Sequence, residues 1–339
     1  MSQPMIRYCP TLIILAALAT PASAQTQELP SVTFGSTMFL QYVFDLEDEE
    51  RFNAFDITRG YLDVRARLTE RIRARFTPDV RRFADADLTE RLGFALEYAY
   101  LEAQLSPRSA VAFGLHPTPW LEFEQSINRY RVQGPMFVER LGLIPGPSDI
   151  GASFRLTGGR TDVHVGVYNG EGRGESELDS RKSVQGRATF RPYSAGEPLG
   201  GLRVSGFYSY GWYAADRPRN VAIAMASYEH PNVVATAQYL MATDNPFVAV
   251  DIERRGLSFF GEARTGPTGW AGLARVDFID PDASVETDSQ RRYVFGGAHW
   301  SEFGGRSRVG VVISLEQLFR VGAADRLENR LLVQTHVEF

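Results

Sequence analysis

The chain has 339 residues, a formal net charge of −5 and a single cysteine, Cys9. A mildly acidic balance argues against a nucleic-acid-binding role, for which a basic domain is the usual footprint. A chain of this length can hold two domains, but no linker or shift in composition divides it. The 36 basic residues include only one lysine, Lys182, so the placement of the arginines is more informative than their number.

The first 24 residues have the layout of a secretory signal peptide. Arg7 precedes an apolar run at 12–19, and Ala22-Ser23-Ala24 supplies the small residues of a cleavage site. The apolar run is too short to cross a bilayer as a helix, which takes about 20 residues. We expect residues 1–24 to be removed on export, which leaves 25–339 without any cysteine. A buried N-terminal helix is the alternative.

Apolar and polar residues alternate with a period of two through most of the remaining chain. Because successive side chains of a strand point to opposite faces, each such segment predicts a strand with one apolar face. About sixteen segments have this pattern. They lie near residues 31–43, 56–68, 72–79, 91–105, 109–116, 149–157, 161–169, 183–192, 201–213, 219–229, 232–242, 252–264, 269–278, 291–301, 307–319 and 327–339.

The connections between these segments alternate between short turns, such as 69–71, and longer polar loops, such as 169–182. Short turns at one end, long loops at the other and an even number of strands describe an all-β fold, a transmembrane antiparallel β-barrel. Aromatic residues near strand ends, Trp212 and Trp270 among them, fit the aromatic girdles of such barrels. The last strand ends on Phe339, which we expect to act as a barrel-assembly signal. A secreted β-sandwich is the alternative.

The six arginines of residues 59–76 all stand at odd positions, and the even positions are mainly apolar. A three-residue turn at 69–71 keeps this parity across the hairpin, so we expect Arg65 to face Arg75 and Arg67 to face Arg73. A charge turned toward lipid costs roughly 2–4 kcal/mol at the bilayer midplane, so the arginines should face the interior. The predicted pore-lining residues on this wall are Arg59, Arg65, Arg67, Arg73 and Arg75.

Four segments resemble the phosphate-selective (O/P-type) porins of Gram-negative outer membranes. They are GLHPTPWLE at 114–122, FVERLGL at 137–143, DIGASFRLTGG at 149–159 and VGVYNGEG at 165–172. The resemblance implies a sixteen-stranded outer-membrane porin, apolar outside and wet inside, which is usually a homotrimer embedded among outer-membrane lipid and lipopolysaccharide. It also implies a long loop, about 117–147, that folds into the lumen. Members that select phosphate use lysines beside an arginine ladder, and Lys182 alone cannot supply them.

The inward-folded loop carries both signs of charge. Its acids, facing the basic wall, would give a transverse electric field suited to general diffusion of small polar solutes, whereas a pure anion filter would look less mixed. The predicted constriction residues of the loop are the arginines Arg129, Arg131 and Arg140 and the acids Glu122, Glu124 and Glu139.

Two interpretations of the arginine wall remain open. Rings or ladders of arginine select anions in pores, which would make the channel anion-preferring toward phosphate-type or organic anions. Alternatively, the arginines solvate the interior and pair with acids such as Asp63, Glu97 or Glu102, which would leave a general-diffusion channel for small hydrophilic solutes.

The sequence offers little support for catalysis. Its five histidines are scattered without a metal-binding spacing, and no serine stands in a nucleophile elbow. We therefore expect no enzymatic activity, no cofactor and no metal. A plugged structural or adhesive barrel and an outer-membrane barrel enzyme are the competing functions.

Overall fold

A computed structural model of the chain describes residues 30–84, 90–144, 146–173, 177, 180–214, 217–246, 250–305, 307–322 and 326–339. The predicted signal peptide lies outside these residues. Within them, sixteen strands form one closed barrel in which each strand pairs with its neighbours in chain order and β1 pairs with β16. Every one of these pairings is antiparallel, so the predicted fold class is confirmed. The strands are β1 Ser31–Asp45, β2 Asn53–Arg67, β3 Ile72–Ala84, β4 Glu90–Ser106, β5 Ser109–Pro117, β6 Ser148–Thr157, β7 Thr161–Tyr168, β8 Ser183–Phe190, β9 Leu202–Ala214, β10 Arg217–His230, β11 Val233–Asp244, β12 Ile252–Arg264, β13 Gly269–Asp280, β14 Gln290–Phe303, β15 Ser307–Arg320 and β16 Arg326–Glu338.

The β2–β3 hairpin has the predicted register. The backbone N–H of Leu68 donates to the carbonyl of Ile72 at 2.9 Å, and Arg65 and Arg67 stand opposite Arg75 and Arg73. The even-numbered apolar side chains of this hairpin face outward. Phe76, for example, is 50 % exposed.

Two features of the connections differ from the prediction of short turns at one end and long loops at the other. Residues 191–201 form an extended turn at the short-turn end, where Glu197 accepts a hydrogen bond from the backbone N–H of Ser194. At the opposite end, β9 ends at Ala214 and β10 already begins at Arg217. Strand β3 also runs past the predicted end at residue 79, where ion pairs offset the charges of the inward Asp79 and Arg81.

The connection from β5 to β6, residues 118–147, folds into the barrel and is called the constriction loop below. It contains helix α1, Leu121–Ile127, and two 3₁₀ turns, Arg131–Gln133 and Phe137–Leu141. Among the described residues, no helix is long and apolar enough to cross a bilayer.

The wet interior that the family resemblance implies gives way to an apolar one where β9–β15 meet the constriction loop. The inward side chains Val221, Ile223 and Met225 of β10 are buried and join one apolar cluster with residues of the constriction loop. The outward positions between them, Ala222 and Ala224, carry small side chains. The inner wall is apolar here because the loop brings its own apolar face into the barrel, and both faces are removed from water when they pack.

The barrel closes at the chain terminus. The backbone of Phe339 exchanges two hydrogen bonds with Ser36 of β1, at 2.7 and 3.1 Å. The Phe339 side chain is 57 % exposed on the outer surface. Its assembly role stays a prediction.

Candidate functional site: the channel and its arginine wall

Apolar side chains fix the constriction loop to the inner wall. Trp120 is fully buried and its ring lies 5.6 Å from that of Phe207 on β9. Tyr130 lies 6.0 Å from Phe260 on β12. These contacts tie α1 and the segment that follows it to the β9–β12 side of the barrel.

Polar contacts strengthen the same attachment. Arg129 forms an ion pair with Glu262 of β12, and the Tyr130 hydroxyl donates to that carboxylate at 2.7 Å. Glu124 accepts hydrogen bonds from Trp120 Nε1 at 3.1 Å and from Gln238 Nε2 of β11 at 3.3 Å. Two of the predicted constriction residues, Arg129 and Glu124, are therefore anchored to β11 and β12 rather than directed at the arginine wall.

The remaining loop charges have different surroundings. Arg131 binds Glu139 within the loop through both terminal nitrogens, at 2.5 and 2.8 Å. Arg140 lies near Arg275 and Arg292 of the inner wall, and burial together with these like charges lowers the pKa of Arg140 to about 10. The Arg131–Glu139 ion pair therefore stabilises the loop internally, in addition to its contacts with the barrel wall.

Three of the segments that resemble the porin family meet at the root of the constriction loop. Asp149, at the start of β6, accepts hydrogen bonds from the backbone N–H groups of Ile150 at 2.7 Å and Gly170 at 2.9 Å. The Tyr168 hydroxyl donates to the carbonyl of Pro117 at 3.2 Å. The aspartate and the Tyr-Asn-Gly segment therefore hold the point at which the loop leaves the barrel wall.

Asp63 organises the arginine wall opposite the loop. Its carboxylate accepts hydrogen bonds from Arg65 Nε at 2.6 Å, Arg75 Nε at 2.7 Å and the Thr77 hydroxyl at 2.6 Å. Arg75 also reaches across to the loop, where Nη1 lies 3.3 Å from Glu122 Oε1. Of the three predicted loop acids, Glu122 is the one whose described contacts include an ion pair with this wall.

The loop-end part of the wall is a dense ion network. Arg59 lies 3.2 Å from Asp79 and 3.9 Å from Glu97. Arg173, from the β7–β8 connection, binds Glu97 and lies 3.5 Å from Asp79. Both acids are buried, so the charge of Arg59 is locally compensated.

A cavity of about 860 Å³, called the main cavity below, lies between the loop and the short-turn end of the barrel. Opposite charges balance along its lining. The arginines are Arg65, Arg75, Arg129, Arg131, Arg264 and Arg308, and the acids are Asp63, Glu97, Glu122, Glu229, Glu302 and Glu338.

A second cavity of about 380 Å³, called the side cavity below, adjoins the main one. The two cavities share Thr33, Arg65, Arg75 and Glu122 in their linings. Five arginines and two glutamates line the side cavity. The arginines are Arg65, Arg67, Arg73, Arg75 and Arg155, and the glutamates are Glu102 and Glu122. Such an excess of guanidinium groups raises the local concentration of anions.

The side cavity contains one functional candidate that the sequence did not single out. Arg155 on β6 forms an ion pair with Glu102, and it lies outside the alternating stripe of β2 and β3. The fixed parity of β6, with Phe154 and Leu156 outward, is a signal that could have placed Arg155 in the interior. Among the described residues, no group of acidic, histidine or cysteine side chains has the arrangement of a metal site.

Known proteins resemble this chain in structure and not in sequence. No protein-family model and no curated protein sequence matches the chain. Solved structures do match. An anion-selective porin from Comamonas acidovorans is 14 % identical with a TM-score of 0.67, over 92 % of this chain and 100 % of that one. OmpT of Vibrio cholerae is 10 % identical with a TM-score of 0.64, over 94 % and 100 %.

A third match is OmpF of Salmonella typhi in complex with daunomycin, which is 11 % identical with a TM-score of 0.60, over 91 % of this chain and 97 % of that one. Identities this low establish the fold alone. The chain is a closed sixteen-stranded β-barrel that is similar in architecture to the porins of Gram-negative outer membranes.

Proposed function

We propose that the chain is an outer-membrane porin, a water-filled channel through which small hydrophilic solutes diffuse passively. Its outer surface is suited to lipid, since outward side chains such as Phe34, Phe94 and Phe113 are 70–83 % exposed. The interior holds the main cavity, whose lining is rich in charged side chains. The signal-peptide layout of residues 1–24 supports export, and the similarity to outer-membrane porins supports the location. The channel carries out no reaction and uses no cofactor.

Homotrimeric assembly is part of this proposal. It is supported by the structural similarity to OmpT of Vibrio cholerae, which is described in a trimer form. Lipid and lipopolysaccharide would surround the assembly.

The channel prefers anions, and the side cavity is the observation that carries this part of the proposal. Its five arginines exceed its two glutamates, and Arg67 is exposed with no ion-pair partner among the described residues. An anion near the short-turn mouth would therefore meet uncompensated positive charge. The similarity to an anion-selective porin agrees with this preference.

General diffusion without a charge preference is the second candidate, and the balanced main cavity favours it. A solute that crosses only the main cavity meets equal numbers of arginines and acids. Phosphate selection of the O/P type has less support, because Lys182 Nζ already pairs with Glu177 at 2.5 Å.

Current through the purified protein in a planar bilayer, with a salt gradient across it, tests the proposal. We expect the protein to conduct. The sign of the reversal potential should show a higher permeability for chloride than for potassium. A current without anion bias would leave the general-diffusion channel, and phosphate added to either side would test for block. A correctly folded barrel that conducts nothing would overturn the porin assignment and favour a plugged structural, adhesive or enzymatic barrel.

A further inference from the structure

Two arginines lie on the outward, lipid-facing side of the barrel near its long-loop end. In the described parts of β10–β15, the strand alternation places Arg255 of β12 and Arg291 of β14 outward and the remaining arginines inward. Both are exposed. A charged side chain on the lipid face of a barrel is costly at mid-depth and nearly neutral only at the interface, so each needs an anionic neighbour or water.

Arg291 stands in a row of apolar side chains. Its partners across the two neighbouring strands are Phe278 and Phe319, and the next outward residue of its own strand is Tyr293. The ring of Tyr293 lies 6.5 Å from Phe278 and 6.0 Å from Phe319. Arg291 forms no ion pair with any described residue. Aromatic rows of this kind mark the membrane interface.

Arg255 stands one strand beyond, on the other side of β13. Its register partner is Asp280, and its ion pair is with Glu253 at 3.1 Å, with both side chains more than half exposed. Exposed ion pairs contribute little to stability, so Glu253 is a weak competitor for a stronger anion. Neighbouring strands lie about 4.8 Å apart and successive residues rise about 3.4 Å. Because the β13 partners of the two arginines are two residues apart, their backbones lie about 12 Å from each other.

A groove of about 290 Å³ joins the two arginines. Tyr239, Leu257 and Phe278 contribute its apolar surface, and Arg255 and Arg291 lie along it. Asp280 also lines the groove, and its negative charge opposes the binding of an anion there. The combination of apolar floor and separated guanidinium groups matches an amphiphile with acyl chains and phosphate groups, because guanidinium binds phosphate through charge-assisted hydrogen bonds.

We propose that this groove binds a phosphorylated lipid of the surrounding membrane, with its phosphate groups on Arg291 and Arg255 and its acyl chains over Leu257 and Phe278. The inference rests on the proposed outer-membrane location, where the long-loop end faces the lipopolysaccharide leaflet. The lipid A part of lipopolysaccharide, which carries phosphates on a sugar backbone, is the occupant that this chemistry fits.

Native mass spectrometry of the detergent-solubilised barrel, titrated with bisphosphorylated lipid A, tests the site. The test variant is R255Q with R291Q, and the control for the loss of an exposed arginine elsewhere is R108Q, since Arg108 is exposed in a turn at the opposite end of the barrel. We expect the double variant to bind lipid A about tenfold more weakly than the wild type, because it loses the charge-assisted hydrogen bonds to phosphate. R108Q should bind lipid A like the wild type. Heat-modifiable mobility in a gel shows that each variant is folded.

Three outcomes would overturn the proposal. They are unchanged binding by the double variant, equal binding of dephosphorylated lipid A, and loss of binding on chelation of divalent cations. The last would mean that Asp280 and Glu253 bind the lipid through a metal ion. Bilayer conductance of the same preparations reports separately on the porin function, so a conducting barrel that fails to bind lipid A refutes this site alone.

Discussion

Removal of two arginines from the side cavity should weaken anion preference while the barrel stays folded. Arg67 and Arg73 are the positions of choice because they face each other across β2 and β3 and both line the side cavity. Arg73 is 58 % exposed, and its nearest carboxylate, that of Glu102, lies 3.8 Å away. Arg75 is a poor choice, since it joins the wall to the loop through Asp63 and Glu122. The variant is R67Q with R73Q.

The size of the effect follows from the dimensions of the cavity. An ion at the centre of a 380 Å³ cavity lies about 7 Å from a guanidinium at its wall, which corresponds to about 0.6 kcal/mol per charge in water. Screening in about 0.1 M salt, where the Debye length is about 10 Å, reduces this to about 0.3 kcal/mol. Loss of two charges therefore lowers the local anion concentration about threefold and raises that of cations about threefold. The anion-to-cation permeability ratio should fall about three- to eightfold.

The assay is the reversal potential in a salt gradient centred near 0.1 M, repeated near 1 M. At the higher concentration the Debye length is about 3 Å, so the difference between the variant and the wild type should shrink below about 1.5-fold. The outer-surface variant, R255Q with R291Q, is the matched control because it removes the same charge from outside the channel. An unchanged ratio at low salt, or a shift that persists at 1 M, would refute the electrostatic role of the side cavity.

Three further predictions concern the loop and the barrel seam. Trp120→Ala removes a fully buried ring at a local cost of about 3–5 kcal/mol, so single-channel current should become larger and noisier, whereas the same change at the 69 % exposed Trp270 should leave it unchanged. Burial raises the pKa of Glu124 from 4.5 to about 7, so protonation of this carboxyl group favours the anchored loop. The current noise should therefore fall as the pH is lowered from 8 to 5.5. In the Glu124→Gln variant, the noise should not depend on pH over this range. Deletion of Phe339 removes the two backbone hydrogen bonds to Ser36 and should lower the yield of heat-modifiable barrel in the membrane, whereas wild-type yield would refute its assembly role.

The strand pattern and the β2–β3 register could be predicted because both depend on local sequence. Alternation fixes which side chains share a face, and the length of the turn at 69–71 fixes how two strands pair. Both rules act within about twenty residues of chain. For the same reason, the residues of this hairpin are sufficient to place Arg65 opposite Arg75.

The direction of the loop charges could not be predicted, because it depends on partners far away in sequence. Glu124 meets Gln238, and Arg129 meets Glu262, only after the barrel has closed. The apolar interior of β10 was missed for a related reason. Alternation shows that Val221 and Ile223 share a face, but a barrel with a loop inside it has apolar surface on both sides of the wall, so parity alone does not say which face is inward.

We propose that the two interpretations of the arginine stripe apply to different parts of the wall. Arg59 and Arg75 have side chains only 19 % and 16 % exposed, and each is committed to acids that hold strands or the loop in place. Arg65 and Arg73 are 61 % and 58 % exposed and, with Arg67, present their charge to the side cavity. Replacement of the first pair should therefore affect the position of the loop, while replacement of the second group should affect ion selectivity. A wall built this way can fix the constriction and bias the current at the same time, because neighbouring arginines of one stripe have different partners.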